Sequence, residues 1–237
     1  DFDNIIEKIK SVGFDLEEMP EDSRYTLNIQ NEFTDPRSGR TKMSNIRTTI
    51  RGIHNIQKYC KENTIHRDDH AFRHFITFLQ KFPKRIDPKD NASMPLKPID
   101  FHDFQFRVNY KKEHSLNIHQ PKIENLLENW KDNKKVFRLI KRFTFRHNKY
   151  NFKIDCSIVR TSNKKKYYIP EYNIEDSNVF NNPENYEIEL EMRNSDRIYN
   201  PTDADFIKNM KQLRSGIKLI LSGWQQSNFP ISFKEKD

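Results

Sequence analysis

The chain opens on a helical period. Phe2, Ile5, Ile6, Ile9 and Val12 recur at three- and four-residue spacing, which gathers them on one face, and Gly13 stands where such a helix ends. After Pro20 the period changes to two. Tyr25, Leu27 and Ile29 alternate with polar residues up to Phe33, which predicts a strand, and Asp35, Pro36, Ser38 and Gly39 predict a turn. Residues 43–51 form the returning arm of this hairpin, with Arg47 and Thr49 on the face opposite Ile46, Thr48 and Ile50. Gly52 closes the arm, and Ile53, Ile56, Tyr59 and Cys60 restore the helical period as far as Asn63. Residues 72–82, rich in Phe and Ile, read as a strand, and the proline-bearing stretch 83–98 reads as a surface loop. Phe104, Phe106, Val108 and Tyr110 then alternate with Gln105, Arg107, Asn109 and Lys111, the pattern of an amphipathic strand.

The second half repeats this alternation more strongly. Pro121 opens a short helix carrying Ile123, Leu126, Leu127 and Trp130. Two long strands follow, at 135–147 and 150–160. The first sets Arg138, Ile140, Arg142 and Thr144 opposite Phe137, Leu139, Lys141, Phe143 and Phe145. The second sets Lys153, Asp155 and Ser157 opposite Phe152, Ile154, Cys156 and Ile158. Residues 164–169 are a further strand candidate. Beyond Pro183, residues 186–192 place Glu187, Glu189 and Glu191 on one strand face and Tyr186, Ile188, Leu190 and Met192 on the other. The longest helix comes last. Thr202 and Asp205 resemble a capping box, and Phe206, Met210, Leu213, Ile217, Ile220, Leu221 and Trp224 form a stripe able to cover a sheet.

Composition sharpens this picture in two ways. The chain is only 34% hydrophobic and 32% charged, but its 18 Phe and 9 Tyr are far more than a disordered chain carries. A net charge of +8 favours a polyanionic partner. Cys60 and Cys156 fall on a predicted helix and an apolar strand face, so both read as reduced core thiols. No apolar run reaches the length of a membrane span, and no secretory signal opens the chain. Five of the eight histidines, His54, His66, His70, His74 and His147, show no ligand spacing and read as surface or core residues.

Adjacent members of the glutamate row stand about 6 to 7 Å apart, a spacing at which a cation must sit among them or the row must face solvent. The polar faces of the other strands carry that charge as Arg47, Arg107, Arg138, Arg142 and Lys153. Closed into a barrel with these faces inward, the sheet would line a hydrated tunnel, with its apolar faces packed outward on helices. Carboxylates suit a hard cation and guanidinium groups suit phosphate, so such a tunnel fits a triphosphate with its metal.

Five segments also resemble a known family: Tyr186 to Glu191 (YEIELE), Arg138 to Phe145 (RLIKRFTF), Phe152 to Arg160 (FKIDCSIVR), Ser44 to Asn63 and Phe104 to Glu113. Together they are similar to the RNA 5′-triphosphatase domain of the mRNA capping enzymes of large DNA viruses of the giant-virus type, within the triphosphate tunnel metalloenzymes. The resemblance implies an α+β fold, a closed antiparallel β-barrel with flanking helices, formed by residues 1–237 as a single domain. It implies hydrolysis of the γ-phosphate from 5′-triphosphate RNA, and of NTPs, with Mg²⁺ or Mn²⁺. Glu189 and Glu191 would hold the metal, Glu187 would orient the attacking water or the metal's water shell, and Asp155 would position a cation or a tunnel arginine. Arg107, Arg138, Arg142 and Lys153 would hold phosphates, with Arg142 also serving catalysis. Partner guanylyltransferase and methyltransferase domains on the same polypeptide are implied, as is a viral protein in the host cytoplasm at virus factories or in the virion, with no membrane.

The family also carries an acidic Glu-x-Glu strand at the start of the domain. The first 33 residues hold none, and the resemblance at residues 1–14 begins just after the place for it, so the chain reads as a piece of a longer capping enzyme. Ile140 stands where relatives often have Lys, and Lys-x-Asp-Gly, the guanylyltransferase motif, is missing. Other readings stay open: a catalytically impaired tunnel domain that binds RNA, phosphate or a partner, or a basic β-sandwich adaptor. Lys164, Lys165 and Lys166 read as a solvated hairpin able to meet an RNA backbone. Phe104 and Phe106 read as core rather than as base-stacking platforms.

Overall fold

The structure, a computed structural model, describes residues 1–35, 38–83, 85–86, 94–193, 203–232 and 234. Its framework is a set of four helices and seven strands: α1 (Phe2–Ser11), β1 (Tyr25–Thr34), β2 (Ile46–Arg51), α2 (Ile53–Glu62), β3 (Ile76–Pro83), β4 (Lys111–Leu116), α3 (Pro121–Glu128), β5 (Lys135–Arg146), β6 (Phe152–Thr161), β7 (Asn185–Met192) and α4 (Asp203–Gln225). The strands join in the order β4-β3-β2-β1-β5-β6-β7, antiparallel throughout. Two short segments extend the sheet: Asp15–Leu16 pairs with the end of β5, and Thr41–Met43 continues the arm that becomes β2. Between that segment and β2, Ser44 turns its hydroxyl to accept from the Ile46 amide at 3.0 Å. Gly52, at φ 87°, turns the chain from β2 into α2, and the Asp22 carboxylate takes the first free amide of that helix, Ile53, at 2.6 Å.

Alternation of side chains gives the sheet one apolar and one charged face. On the apolar face, α2, α3 and the turn after α3 bring Ile56, Tyr59, Ile123 and Trp130 onto Leu27, Ile29, Ile50 and Phe137. Around β5, β6 and β7, Ile5, Ile9 and Phe14 join Phe145, Phe152, Ile154 and Cys156, with Leu219, Ile220 and Trp224 of α4 packed beside them. Burial pushes the Cys156 thiol up to about 12, as a core cysteine requires. Two glycines let α4 approach closely. A Cβ on Gly216 would collide with Leu190 Cδ1 and lie 2.9 Å from Phe152 Cζ, and one on Gly223 would lie 2.9 Å from Ile5 Cα.

The sheet curls strongly, and its charged face is the inner one. Arg47 on β2 feels the charge of Glu189 on β7, four strands along the sheet. A flat sheet would hold them about 19 Å apart. The expected closure does not occur: β4 and β7 end the order as unpaired edges among the described residues, so the architecture is an α+β half-barrel with flanking helices.

The physical reason lies where the strand at 104–110 was expected. Ile99–Phe101 instead pairs with Phe106–Val108, turning through Gln105 at φ 53°, and this hairpin stands outside the main sheet. The edge strand begins only at Lys111 and is short. Three other expectations are corrected. Phe72 belongs to a helical turn, His70–Arg73, capped by Asp69, which accepts from the Phe72 amide at 2.9 Å, so the strand begins at Ile76. Residues 164–169 contribute one isolated bridge, Lys164 with Tyr168, rather than a strand. Phe206 and Met210 are exposed, so the stripe of α4 packs mainly in its second half, around Leu221. The proposed cap at Thr202 and most of the proline-bearing loop lie outside the described residues. Among the described residues no helix is long and apolar enough to cross a membrane.

Candidate functional site

Register across β5, β6 and β7 builds the site. Arg142 pairs with Ser157 and Ser157 with Glu187; Thr144 pairs with Asp155 and Asp155 with Glu189; Arg146 pairs with Lys153 and Lys153 with Glu191. Side chains directly opposite on one face lie within reach of each other. Cations and carboxylates therefore interleave instead of forming an acidic wall facing a basic one.

Asp155 anchors the cluster. It is fully buried, accepts the Thr144 hydroxyl at 2.7 Å, and lies 3.0 Å from Lys153 Nζ and 3.3 Å from Arg142 Nη1. A buried carboxylate is stable only with such partners. Arg142 spreads its remaining donors to Ser157 Oγ at 3.2 Å and to Glu189 at 3.2 Å. Lys153 reaches Glu191 at 3.0 Å; burial would lower its ammonium, but Asp155 and Glu191 outweigh that and hold it above the ordinary range. Arg138, four residues before Arg142 on the same face of β5, is ion-paired with Glu187. The depth grading is clear: Asp155 has no exposure, while the side chains of Glu189 and Glu191 are 54% and 60% exposed.

The resulting geometry brings together Glu187, Glu189, Glu191, Asp155, Arg138, Arg142 and Lys153. Arg107 does not join them. It sits on the separate hairpin, more than half exposed, with Nε 2.5 Å and Nη2 3.1 Å from the Asp100 carboxylate, which raises its pKa. Arg47 of β2, also expected on the polar face, does approach the cluster. Burial lowers its pKa, Glu113, Arg142, Arg138 and Glu189 all act on it, and its Nε has no hydrogen-bond partner. Arg138 Nε is likewise unpartnered. Both Nε atoms are buried and unpaired, a deficit that an anion reaching the inner face would satisfy. The opposite wall adds an ion pair between Lys81 of β3 and Glu113 of β4.

No family model, curated protein or solved structure matches the chain. Arg47 was visible in the sequence as a polar-face cation, but its central position depends on strand order, which no local pattern encodes. Lys81 and Glu113 gave weaker signals still, because β4 is charged on both faces.

The metal question turns on the donor set. Glu189 and Glu191 are neighbouring exposed carboxylates, and Mg²⁺ is commonly held by one or two carboxylates while keeping several waters and adding substrate phosphate oxygens. These two residues would fit that requirement if Arg142 and Lys153, now paired with them, were drawn off by phosphate.

Proposed function

We propose that the inner face binds a triphosphate chain and releases its γ-phosphate, with 5′-triphosphate RNA as substrate and NTPs as smaller substitutes. The observation that carries this reading is the pair of unpaired guanidinium donors on Arg47 and Arg138, beside a ladder in which each carboxylate already has a cationic neighbour. Phosphate entering the ladder would draw Arg138, Arg142 and Lys153 away from their glutamates. Those glutamates would then be free for a cation. Arg47, Arg138 and Arg142 would bind the phosphate oxygens and stabilise charge gathering on the γ-phosphoryl group. Glu187 would orient water for in-line attack, and Asp155 would keep Arg142 and Lys153 in place. A divalent Mg²⁺ or Mn²⁺ at Glu189 and Glu191 would supply electrostatic stabilisation of the transferring group. The resemblance of residues 138–145 and 186–191 to the viral RNA triphosphatases supports the same reading.

A second reading follows from the open edges of the half-barrel: a phosphate-binding module without turnover. Phosphate release from triphosphate RNA and from ATP decides between them, with Mg²⁺ or Mn²⁺ present. The parent chain should release phosphate, and Glu189→Ala combined with Glu191→Ala should abolish release while leaving inorganic tripolyphosphate binding in place. Release undiminished in that double variant would overturn the hydrolytic reading.

A further inference from the structure

Between β6 and β7 the chain makes an excursion that the site does not use. Lys164 and Tyr168 form a backbone bridge, the Lys165 amide donates to Tyr167 O at 3.1 Å, and the Ile169 amide donates to Asn163 O at 2.8 Å, so the tip has a built stem. On it stand three tyrosines with their rings in solvent: Tyr167 at 72%, Tyr168 at 44% and Tyr172 at 50% exposure. Each ring carries a lysine on it. Lys164 Nζ lies 5.3 Å from the Tyr168 centroid, Lys166 Nζ 5.6 Å from Tyr167, and Lys134 Nζ 5.3 Å from Tyr172. Together with exposed Lys165, these cations form no ion pair with a carboxylate among the described residues.

We infer that this lysine-capped tyrosine cluster is a docking surface for single-stranded RNA. Exposed aromatic faces offer stacking platforms that accept any unpaired base, and unpaired ammonium groups beside them meet the phosphates between bases. A solvated loop needs the lysines but gains nothing from three exposed rings in six residues. The excursion packs with the apolar core through Ile174 and Val179, and it reaches the start of β5 at the sheet's end. Lys135 and Glu171 exchange backbone hydrogen bonds at 2.7 and 2.9 Å, which ties the excursion to the start of β5. Arg138 follows three residues on, about 10 Å along the strand. RNA whose 5′ phosphates lay at Arg138 would run its first nucleotides toward the tyrosines. A free nucleotide has no such extension, so the cluster would favour RNA over NTP. That last step rests on the proposed function; the RNA-binding surface does not.

The test uses the full chain and a 3′-fluorescein-labelled, 5′-hydroxyl single-stranded RNA, followed by anisotropy across a salt series. Tyr167→Ala with Tyr168→Ala should weaken binding about tenfold or more and leave the salt slope unchanged. Lys164→Ala with Lys165→Ala and Lys166→Ala should reduce the slope by about two, since each phosphate contact on a single strand contributes about 0.7. Affinity unchanged in both variants would overturn the inference. So would loss in the lysine variant alone with heparin competing equally in parent and tyrosine variant, because the patch would then select charge without bases. A parent that binds this RNA through the tyrosines yet releases no phosphate from triphosphate RNA or ATP would remove the proposed function and leave the docking surface standing. With hydrolysis intact, the tyrosine variant should raise KM for triphosphate RNA and not for ATP.

Discussion

Arg142 Nη1 stands 3.3 Å from the carboxylate of Asp155, which has no solvent exposure. The relationship is asymmetric. Arg142 keeps a path to Glu189 and to solvent, whereas Asp155 depends on Arg142, Lys153 and Thr144 for all its compensation.

Replacing Asp155 should therefore damage the fold before it damages chemistry. Asp155→Ala leaves two cations facing a buried gap and should cost about 3 kcal/mol, in the range seen when one partner of a buried pair is removed. Urea unfolding followed by circular dichroism checks this, with a lower midpoint and an unchanged m-value expected. A midpoint equal to that of the parent would show that Asp155 is not the anchor of the cluster.

Arg47 should behave in the opposite way. Its guanidinium is half-buried, its Nε is unpartnered, and burial lowers its pKa. Arg47→Met keeps much of the side-chain packing and removes a charge without a full set of partners, so stability should hold or rise. Binding of inorganic tripolyphosphate, measured by calorimetry, should weaken about tenfold, the worth of one charge-assisted hydrogen bond. Loss of stability together with unchanged binding would assign Arg47 to structure alone.

The contrast between these residues shows what the sequence carries. Strand faces were legible because alternation is local: the sides assigned to Arg138, Arg142, Lys153, Asp155 and the glutamate row are those the sheet uses. Strand order and closure were not, since they depend on contacts between distant segments. Arg107 illustrates the failure. Its alternating neighbours Phe106 and Val108 read as a wall strand, yet Gln105 enters the left-handed region and Asp100 captures the guanidinium locally. The edge strand β4, Lys111–Leu116, has little apolar alternation because it is almost wholly exposed.

Helix α4 offers a test of packing. Gly216→Ala gains helix propensity of about 1 kcal/mol but drives a methyl into Leu190 and Phe152. Overpacking costs about 1 to 3 kcal/mol and should win, lowering Tm. Leu190→Ala in the same chain should return part of the loss by opening space, and a double-mutant cycle measures that coupling. Additive effects would mean that the helix shifts instead of pressing on β7.

Lys135 gives the pH dependence. Its side chain is fully buried, donates at 2.6 Å to the carbonyls of Trp130 and Asn133, and is lowered by burial to about 8. In the unfolded chain a lysine titrates near about 10.4. Between these values the unfolded state holds the extra proton, so this residue makes stability rise with pH from about 8 to about 10.4 and contributes no slope below that window. The neutral amine still has two N–H groups for the two carbonyls, so their hydrogen bonds survive deprotonation. The thiols of Cys60 and Cys156, both raised by burial, act with the opposite sign, because the unfolded chain loses those protons first. A comparison with Lys135→Met separates the two, since the variant keeps both cysteines. It should be less stable overall by about 1 to 3 kcal/mol for each carbonyl left unpaired. Between pH 7.5 and 9.5, urea midpoints should rise more in the parent than in the variant. Parallel midpoints across that interval would mean that Lys135 titrates alike in the folded and unfolded chains.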